Sequence, residues 1–306
     1  MEKCYDIAIV GGGPAGLSAA LNSLRAEKSV VLIEKNNFGG QIAVTPRLEN
    51  YPGIKAVSGG EFVSSLLDQV TDLGCELELA SVLGVEKKDS KFEIDTDSGK
   101  IFAKSVILAT GAAHKSLCLE REEELTGNGV SYCALCDGAF FKGKTVAVVG
   151  GGNTAVKEAG MLAGICNKVY IIHRRSEFRA EAANLRSLDS ISNIEFLLDR
   201  CVTELHGDDE LNAITVKYMP DGSEEILPID GLFVSIGSAP QNTAFAELAD
   251  TDSIGWFSSD ESCKTKTSGL FVAGDCRAKS IKQVVTAVSD GAVASAFACD
   301  YLNQNN

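Results

Sequence analysis

A short apolar run, a glycine-rich turn and a helix-forming stretch occur twice in this chain in one register, and nothing else in it restricts the fold so strongly. The first copy runs Asp6-Ile7-Ala8-Ile9-Val10, then Gly11-Gly12-Gly13-Pro14-Ala15-Gly16, then a helix-forming stretch from Leu17 to Ala26. The second runs from Thr145 to Val149 and on through Gly150-Gly151-Gly152-Asn153-Thr154-Ala155, an offset of 139 residues from Gly11 to Gly150. In a strand–turn–helix setting, Gly11 permits the tight turn, Gly13 lets the backbone approach a pyrophosphate and Gly16 lets helix and strand pack closely. Gly152 and Ala155 take the places of Gly13 and Gly16 in the second copy. The pattern predicts an α/β chain with two Rossmann-like, three-layer ββα domains.

The two copies differ where the ribose would lie. The second strand of the first copy, Val30-Val31-Leu32-Ile33, ends at Glu34, a carboxylate suited to free ribose hydroxyls. The same offset carries Glu34 to His173, followed by Arg174 and Arg175, with Arg179 one turn further. A carboxylate repels a 2′-phosphate, whereas guanidinium groups grip it with paired bonds. The second site is therefore expected to take NADPH in preference to NADH, and the first to hold FAD.

Three further strands are expected. Val106 to Ala112 and Gly231 to Ser238 read as counterparts that return the chain from one domain to the other, and Gly269 to Asp275 is a strand with a Gly-Asp ending. They predict a second domain, residues 115–240, inserted into a first made of 1–114 and 241–306.

Between the copies lies Cys133-Ala134-Leu135-Cys136-Asp137. If the segment opens a helix, both sulfurs share one face within disulfide reach, the helix N-terminus lowers thiol pKa values, and Asp137 is close enough to move a proton. Such a spacing also serves as half of a zinc site. No second C-x-x-C exists, and His114, His173 and His206 show no ligand spacing to this one.

Composition excludes other classes. A formal net charge of −14 argues against nucleic acid or an anionic membrane surface as partner. No apolar run approaches a membrane span, and no signal-peptide core precedes the first strand. Ten scattered cysteines then read as reduced thiols of a cytoplasmic chain, with no metal implied. Cys276 reads as a small core residue and the run Glu120–Glu124 as a solvated loop or helix start.

Taken together, the motifs at 11–16, 133–137, 150–155, 173–179 and 269–275 resemble those of the low-molecular-weight, bacterial-type thioredoxin reductases, over nearly the whole chain. The resemblance implies a relay from NADPH through FAD and a Cys133–Cys136 disulfide to thioredoxin or a thioredoxin-like protein. Cys136 would face the flavin, Cys133 would attack the partner and Asp137 would be the acid–base group. Gly11, Gly13, Pro14, Ala15 and Gly16 would hold the FAD pyrophosphate, with Glu34 on its ribose and Asp275, after Gly274, on its ribityl or phosphate portion. Gln41 and Asn50 would contact the flavin ring, Thr110 and Gly111 would line the same site, and Gln283 and Val284 would begin a helix aimed at the pyrimidine edge. On the other domain, Gly150, Gly152, Asn153, Thr154 and Ala155, with His173, Arg174, Arg175 and Arg179, would hold NADPH. The family also implies a homodimer and a swivel of one domain on the other near Ala113 and Ala239. A same-fold flavin dithiol oxidase would not need the Arg174–Arg175 patch, and a ferredoxin-driven reductase would be expected to lack Gly150–Ala155 as well as that patch. A non-enzymatic dinucleotide sensor would have no use for the cysteine pair.

Overall fold

The computed structural model describes residues 3–305. β1 (Cys4–Val10) leads through the glycine turn into α1 (Pro14–Arg25) and on to β2 (Val30–Glu34). Proline at the first helical position suits α1, since its missing N–H has no intrahelical partner there and its φ is already helical. After α2 (Gly59–Asp72), whose Ser58 and Glu61 form a reciprocal capping box, come β3 (Glu76–Leu79), β4 (Val82–Lys88), β5 (Lys91–Thr96) and β6 (Gly99–Leu108). β1 and β6 end in unbroken buried runs, as strands covered on both faces must.

The chain passes through β7 (Ala112–His114) into a second compact unit, residues 114–238. It holds β8 (Val130–Ser131), the single turn α3 (Ala134–Asp137), β9 (Thr145–Val149), α4 (Asn153–Ala163), β10 (Lys168–His173), α5 (Ala182–Arg186) and β11 (Ile194–Leu198). β12 (Arg200–His206), β13 (Ala213–Tyr218) and β14 (Glu224–Pro228) form an antiparallel layer, and β15 (Gly231–Val234) returns to the parallel sheet, whose order is β11-β10-β9-β15-β8. One core lies between the two sheets and includes Ile172, Ile214 and Leu232; another lies under α4 and includes Val148, Leu162 and Phe233.

β16 (Ser238–Pro240) carries the chain back, and β17 (Leu270–Val272) and α6 (Val284–Gln304) complete the first unit, residues 1–113 and 239–306. Its sheet runs β3-β2-β1-β6-β5-β4, with β17 also paired to β6. α1 and α6 cover one face, burying Leu17, Ile107, Ala294 and Leu302; Phe92, Val106 and Phe257 fill the other.

The duplication is structural as well as sequential. β1 ends at Val10 and β9 at Val149, α1 starts at Pro14 and α4 at Asn153, and β2 ends at Glu34 and β10 at His173, each pair at the offset of 139. The counterpart strands β6 and β15 both lie in parallel beside the central strand of their own sheet. Contrary to the expectation from sequence, they do not themselves cross between the units. The crossings fall a few residues later, at β7 and β16, which pair as a two-stranded sheet.

Candidate active site

Cys133 and Cys136 are joined as a disulfide with Cα atoms 5.3 Å apart. Cys133 is the N-cap of α3, and its Sγ accepts the Cys136 N–H at 3.2 Å. Bonded to one another, the two sulfurs are not thiolate ligands of a metal. The side chain of Leu135, between them, is 54% exposed.

Asp137 is half-buried, and burial raises its pKa above the ordinary carboxylate range, opposed by the Ser131 hydroxyl, which donates to Oδ2 at 2.7 Å. The same Ser131 oxygen accepts the Cys133 N–H at 3.1 Å. On the other side of the turn, the Glu158 carboxylate on α4 accepts from the Ser235 hydroxyl and from the Ala134 N–H, and burial raises its pKa too.

A buried frame precedes the pair. Glu122, 4% exposed, accepts the Tyr132 hydroxyl at 2.8 Å and the N–H groups of Leu117 and Leu119 at 2.9 and 3.2 Å. The acidic run is therefore not wholly a solvated loop, because its middle carboxylate ties down an otherwise irregular segment. The His114 ring stacks on Tyr132 with centroids 5.3 Å apart.

In the first unit, Gly11 takes φ +107°, and a Cβ there would meet the Ala109 carbonyl oxygen at 2.2 Å, so only glycine serves. Glu34 Oε2 accepts the Gly12 N–H at 2.8 Å and Oε1 the Asn36 N–H at 3.0 Å, which fixes the carboxylate over the turn. Ala15 meets the second glycine motif: a Cβ on Gly274 would lie 2.7 Å from its own Cβ. Asp275 follows, its carboxylate raised in pKa by burial and its Oδ1 buried with no hydrogen-bond partner among the described residues. Gln41 donates its amide to the Ala112 carbonyl, and Asn50 donates to Gln283 Oε1 at 2.9 Å. Gln283 caps α6, whose first residue is Val284. The Thr110 hydroxyl turns inward, donating to buried Asn242 at 2.9 Å, and Gly111 takes φ +66°. Cys276 is fully buried, bonded to the Leu108 and Ala273 carbonyls, and burial pushes its thiol up to about 11, so it is a structural residue.

Two groups that no motif announces support this turn. Asp290 on α6 accepts the Gly274 N–H at 3.0 Å, Arg277 at 2.8 Å and Lys279 at 2.9 Å. Lys282 lies over the Trp256 ring at 3.4 Å and donates to the carbonyls of Asp275 and Arg277.

In the second unit, Arg174, Arg175 and Arg179 are exposed, and none forms an ion pair with a carboxylate among the described residues. The loop bearing them folds back on the glycine turn: the N–H groups of Arg179 and Ala180 both bond the Gly151 carbonyl, at 2.7 and 3.1 Å. Asn153 is the first residue of α4 and makes no capping bond; its side chain bonds Glu181 and Asn184 and holds the loop's far end. His173 is buried, stacked on Phe178 at 5.3 Å, with Nε2 facing the Glu177 carbonyl at 3.1 Å. A Cβ on Gly151 would strike its ring at 2.1 Å, so His173 is the floor of the turn. Gly152 has open space beside it, and Thr154 is exposed.

Two glycine-rich strand–turn–helix units and a disulfide turn beside a half-buried acid define a class. Residues 5–291 match the family described as pyridine nucleotide-disulphide oxidoreductase. The chain is 40% identical over 306 residues to a thioredoxin reductase of Listeria innocua, covering 99% of this chain and 95% of that one. It is 44% identical over 309 residues to a thioredoxin reductase of Helicobacter pylori, covering 98% and 99%. Among solved structures it resembles a thioredoxin reductase from Streptococcus pyogenes, with a TM-score of 0.96 at 35% identity, covering 99% and 100% of the two chains. The chain belongs to the pyridine nucleotide-disulphide oxidoreductases and, within them, to the thioredoxin reductase family. Its fold is the mixed α/β, two-domain architecture of those enzymes, and it is an oxidoreductase of that class.

Proposed function

We propose that this protein reduces the disulfide of thioredoxin, or of a thioredoxin-like protein, with NADPH as donor, through FAD in the unit of residues 1–113 and 239–306 and the Cys133–Cys136 pair in the unit of residues 114–238. The observation that carries the reading is the disulfide itself, on a partly exposed turn next to a half-buried Asp137.

The first unit fits a flavin dinucleotide. Asp275 Oδ1 is a buried acceptor lacking a donor, which a ligand hydroxyl satisfies. A Cβ placed on Gly13 would meet nothing closer than 4.0 Å, which leaves the backbone open to a pyrophosphate at the start of α1. Bound there, FAD supplies the two-electron step between a nicotinamide hydride and a disulfide. Glu34 addresses the ribose, Gln41 and Asn50 the ring, and Arg174, Arg175 and Arg179 the 2′-phosphate of NADPH, with His173 shaping their loop. Once the pair is reduced, the Cys136 N–H at 3.2 Å favours a thiolate on Cys133, the attacking sulfur. Cys136 resolves the mixed disulfide, and Asp137 carries the proton to a leaving thiolate.

Eight free cysteines beside the pair agree with a reducing, cytoplasmic setting. Among the described residues no helix is long and apolar enough to cross a membrane. The family likeness extends the reading to a homodimer.

Anaerobic titration of the purified protein with NADPH, NADH and reduced ferredoxin, following flavin absorbance, tests the donor. Bleaching by NADPH well before NADH is the expected result. No response to NADPH, with bleaching by ferredoxin or a dithiol, overturns it.

A further inference from the structure

We infer that Ser131 is a positioning residue for disulfide exchange: its hydroxyl fixes Asp137 so that Oδ1, and not Oδ2, is the oxygen that takes up and gives out the proton. The inference rests on the acid–base reading of Asp137 given above.

Ser131 closes β8 and is 4% exposed. A serine hydroxyl has one hydrogen to donate. The Cys133 N–H can only donate, and at 3.1 Å it occupies an acceptor lone pair of the Ser131 oxygen. Two acceptors compete for the hydroxyl hydrogen: Asp137 Oδ2 at 2.7 Å and the Cys133 carbonyl at 3.4 Å. The carboxylate is both nearer and the stronger acceptor, so the hydrogen points at Oδ2. An oxygen that already receives a hydrogen bond is the poorer place for a second proton. The acid proton of Asp137 therefore resides on Oδ1.

The same hydroxyl joins the acid to the nucleophile. Its lone pair holds the backbone of Cys133 while its hydrogen holds Asp137, so the two reacting residues share one anchor two positions before the first cysteine. In the exchange, the Cys133 thiolate attacks the partner disulfide and forms a mixed disulfide, and one partner sulfur leaves as a thiolate that is protonated. The Cys136 thiolate then attacks Cys133 Sγ, restoring the Cys133–Cys136 bond and releasing the second partner thiolate, which is also protonated. Two thiols of this chain are oxidised, two of the partner are formed, and the two protons are those of the original dithiol. Asp137 Oδ1 relays a proton between them.

Removing the hydroxyl takes away a hydrogen bond that favours the charged carboxylate, so the alkaline limb governed by Asp137 moves to higher pH. It also frees the carboxyl group to turn, which lowers the maximum rate. The test follows the NADPH-reduced holoenzyme reacting with an oxidised bacterial thioredoxin by stopped flow across pH, for the wild type, Ser131→Ala, Ser131→Thr, Asp137→Asn and Ser131→Ala/Asp137→Asn. NADPH bleaching of the flavin in each variant reports an intact fold. The expected result is an exchange rate about tenfold lower for Ser131→Ala, with its alkaline limb raised. Ser131→Thr recovers the limb, and the double variant is no slower than Asp137→Asn alone. Multiplying effects in the double variant, or a wild-type profile for Ser131→Ala beside a slow Asp137→Asn, overturn the inference and leave the acid–base reading standing. An unimpaired Asp137→Asn overturns both.

Discussion

Arg277 and Asp290 meet at 2.8 Å with side chains only 8% and 11% exposed, and this pair fastens the Gly274–Asp275 turn to α6. Breaking one partner of a buried pair leaves the other uncompensated, at a cost of about 3–5 kcal/mol. Asp290→Ala is expected to lower unfolding free energy by about 3 kcal/mol and to reduce the flavin retained on gel filtration, because the Gly274 N–H loses its acceptor as well. Denaturant unfolding with flavin absorbance measures both, and a variant with wild-type midpoint and wild-type flavin content would show the clamp to be dispensable.

Glu122 accepts three donors, so the loss of one leaves a satisfied carboxylate. Tyr132→Phe is accordingly expected to cost about 1 kcal/mol, whereas Glu122→Ala strands three half-buried donors and costs about 3 kcal/mol. Equal destabilisation by the two, measured by urea midpoints, would mean that the carboxylate is not the hub of that frame.

Charge alone separates NADPH from NADH, so replacing Arg174 and Arg175 by alanine should act on one donor only. Charge-assisted bonds of about 1.5–3 kcal/mol imply a fall in kcat/KM for NADPH of about tenfold to a hundredfold. NADH kinetics should stay within about twofold. A parallel fall for both donors would place these arginines outside the 2′-phosphate site.

Burial raises the pKa of Glu158 in the folded chain above its unfolded value, so the native state binds that proton more tightly. Its effect on stability is thus unfavourable once pH has risen through the folded pKa and disappears below the unfolded one. Glu158→Gln keeps an acceptor for Ser235 and the Ala134 N–H but carries no charge. It should raise Tm by about 2 °C at pH 8 and leave it unchanged near pH 4. Thermal scans at the two pH values decide the matter, and a loss of stability at pH 8 would contradict the argument.

The repeated strand–turn–helix units were legible because their signal is local: a buried run, glycines at fixed steps and an acid or base at the next strand end. Gly11, Glu34, Asn153 and His173 all sit at the element boundaries that this register predicts. Orientation was not legible. His173 shares its strand position with Glu34 yet turns inward onto Phe178, and Asn153 reaches for Glu181 in place of its own helix end. Supporting groups were hidden for a different reason. Glu158 meets Ser235 across 77 residues and Asp290 meets Gly274 across 16, distances over which no periodicity links them. Glu122 was masked by its neighbours, since a run of charges looks solvated whichever member is inside. Ser131 carried a faint signal, a hydroxyl two residues before the first cysteine, which has meaning only once Asp137 is seen to return to it.

The pairing of β17 with β6, and the packing of α6 on α1, have a consequence for the order in which the protein comes into being. A ribosome adds residues 114–238 before Leu270, so the strands of the inserted unit are all synthesised while the first sheet still lacks one. The Gly274–Asp275 turn and its Asp290 clamp arrive later still. The nascent chain can thus complete its disulfide-bearing half early, and the other half gains its Gly274–Asp275 turn and Asp290 clamp only afterwards.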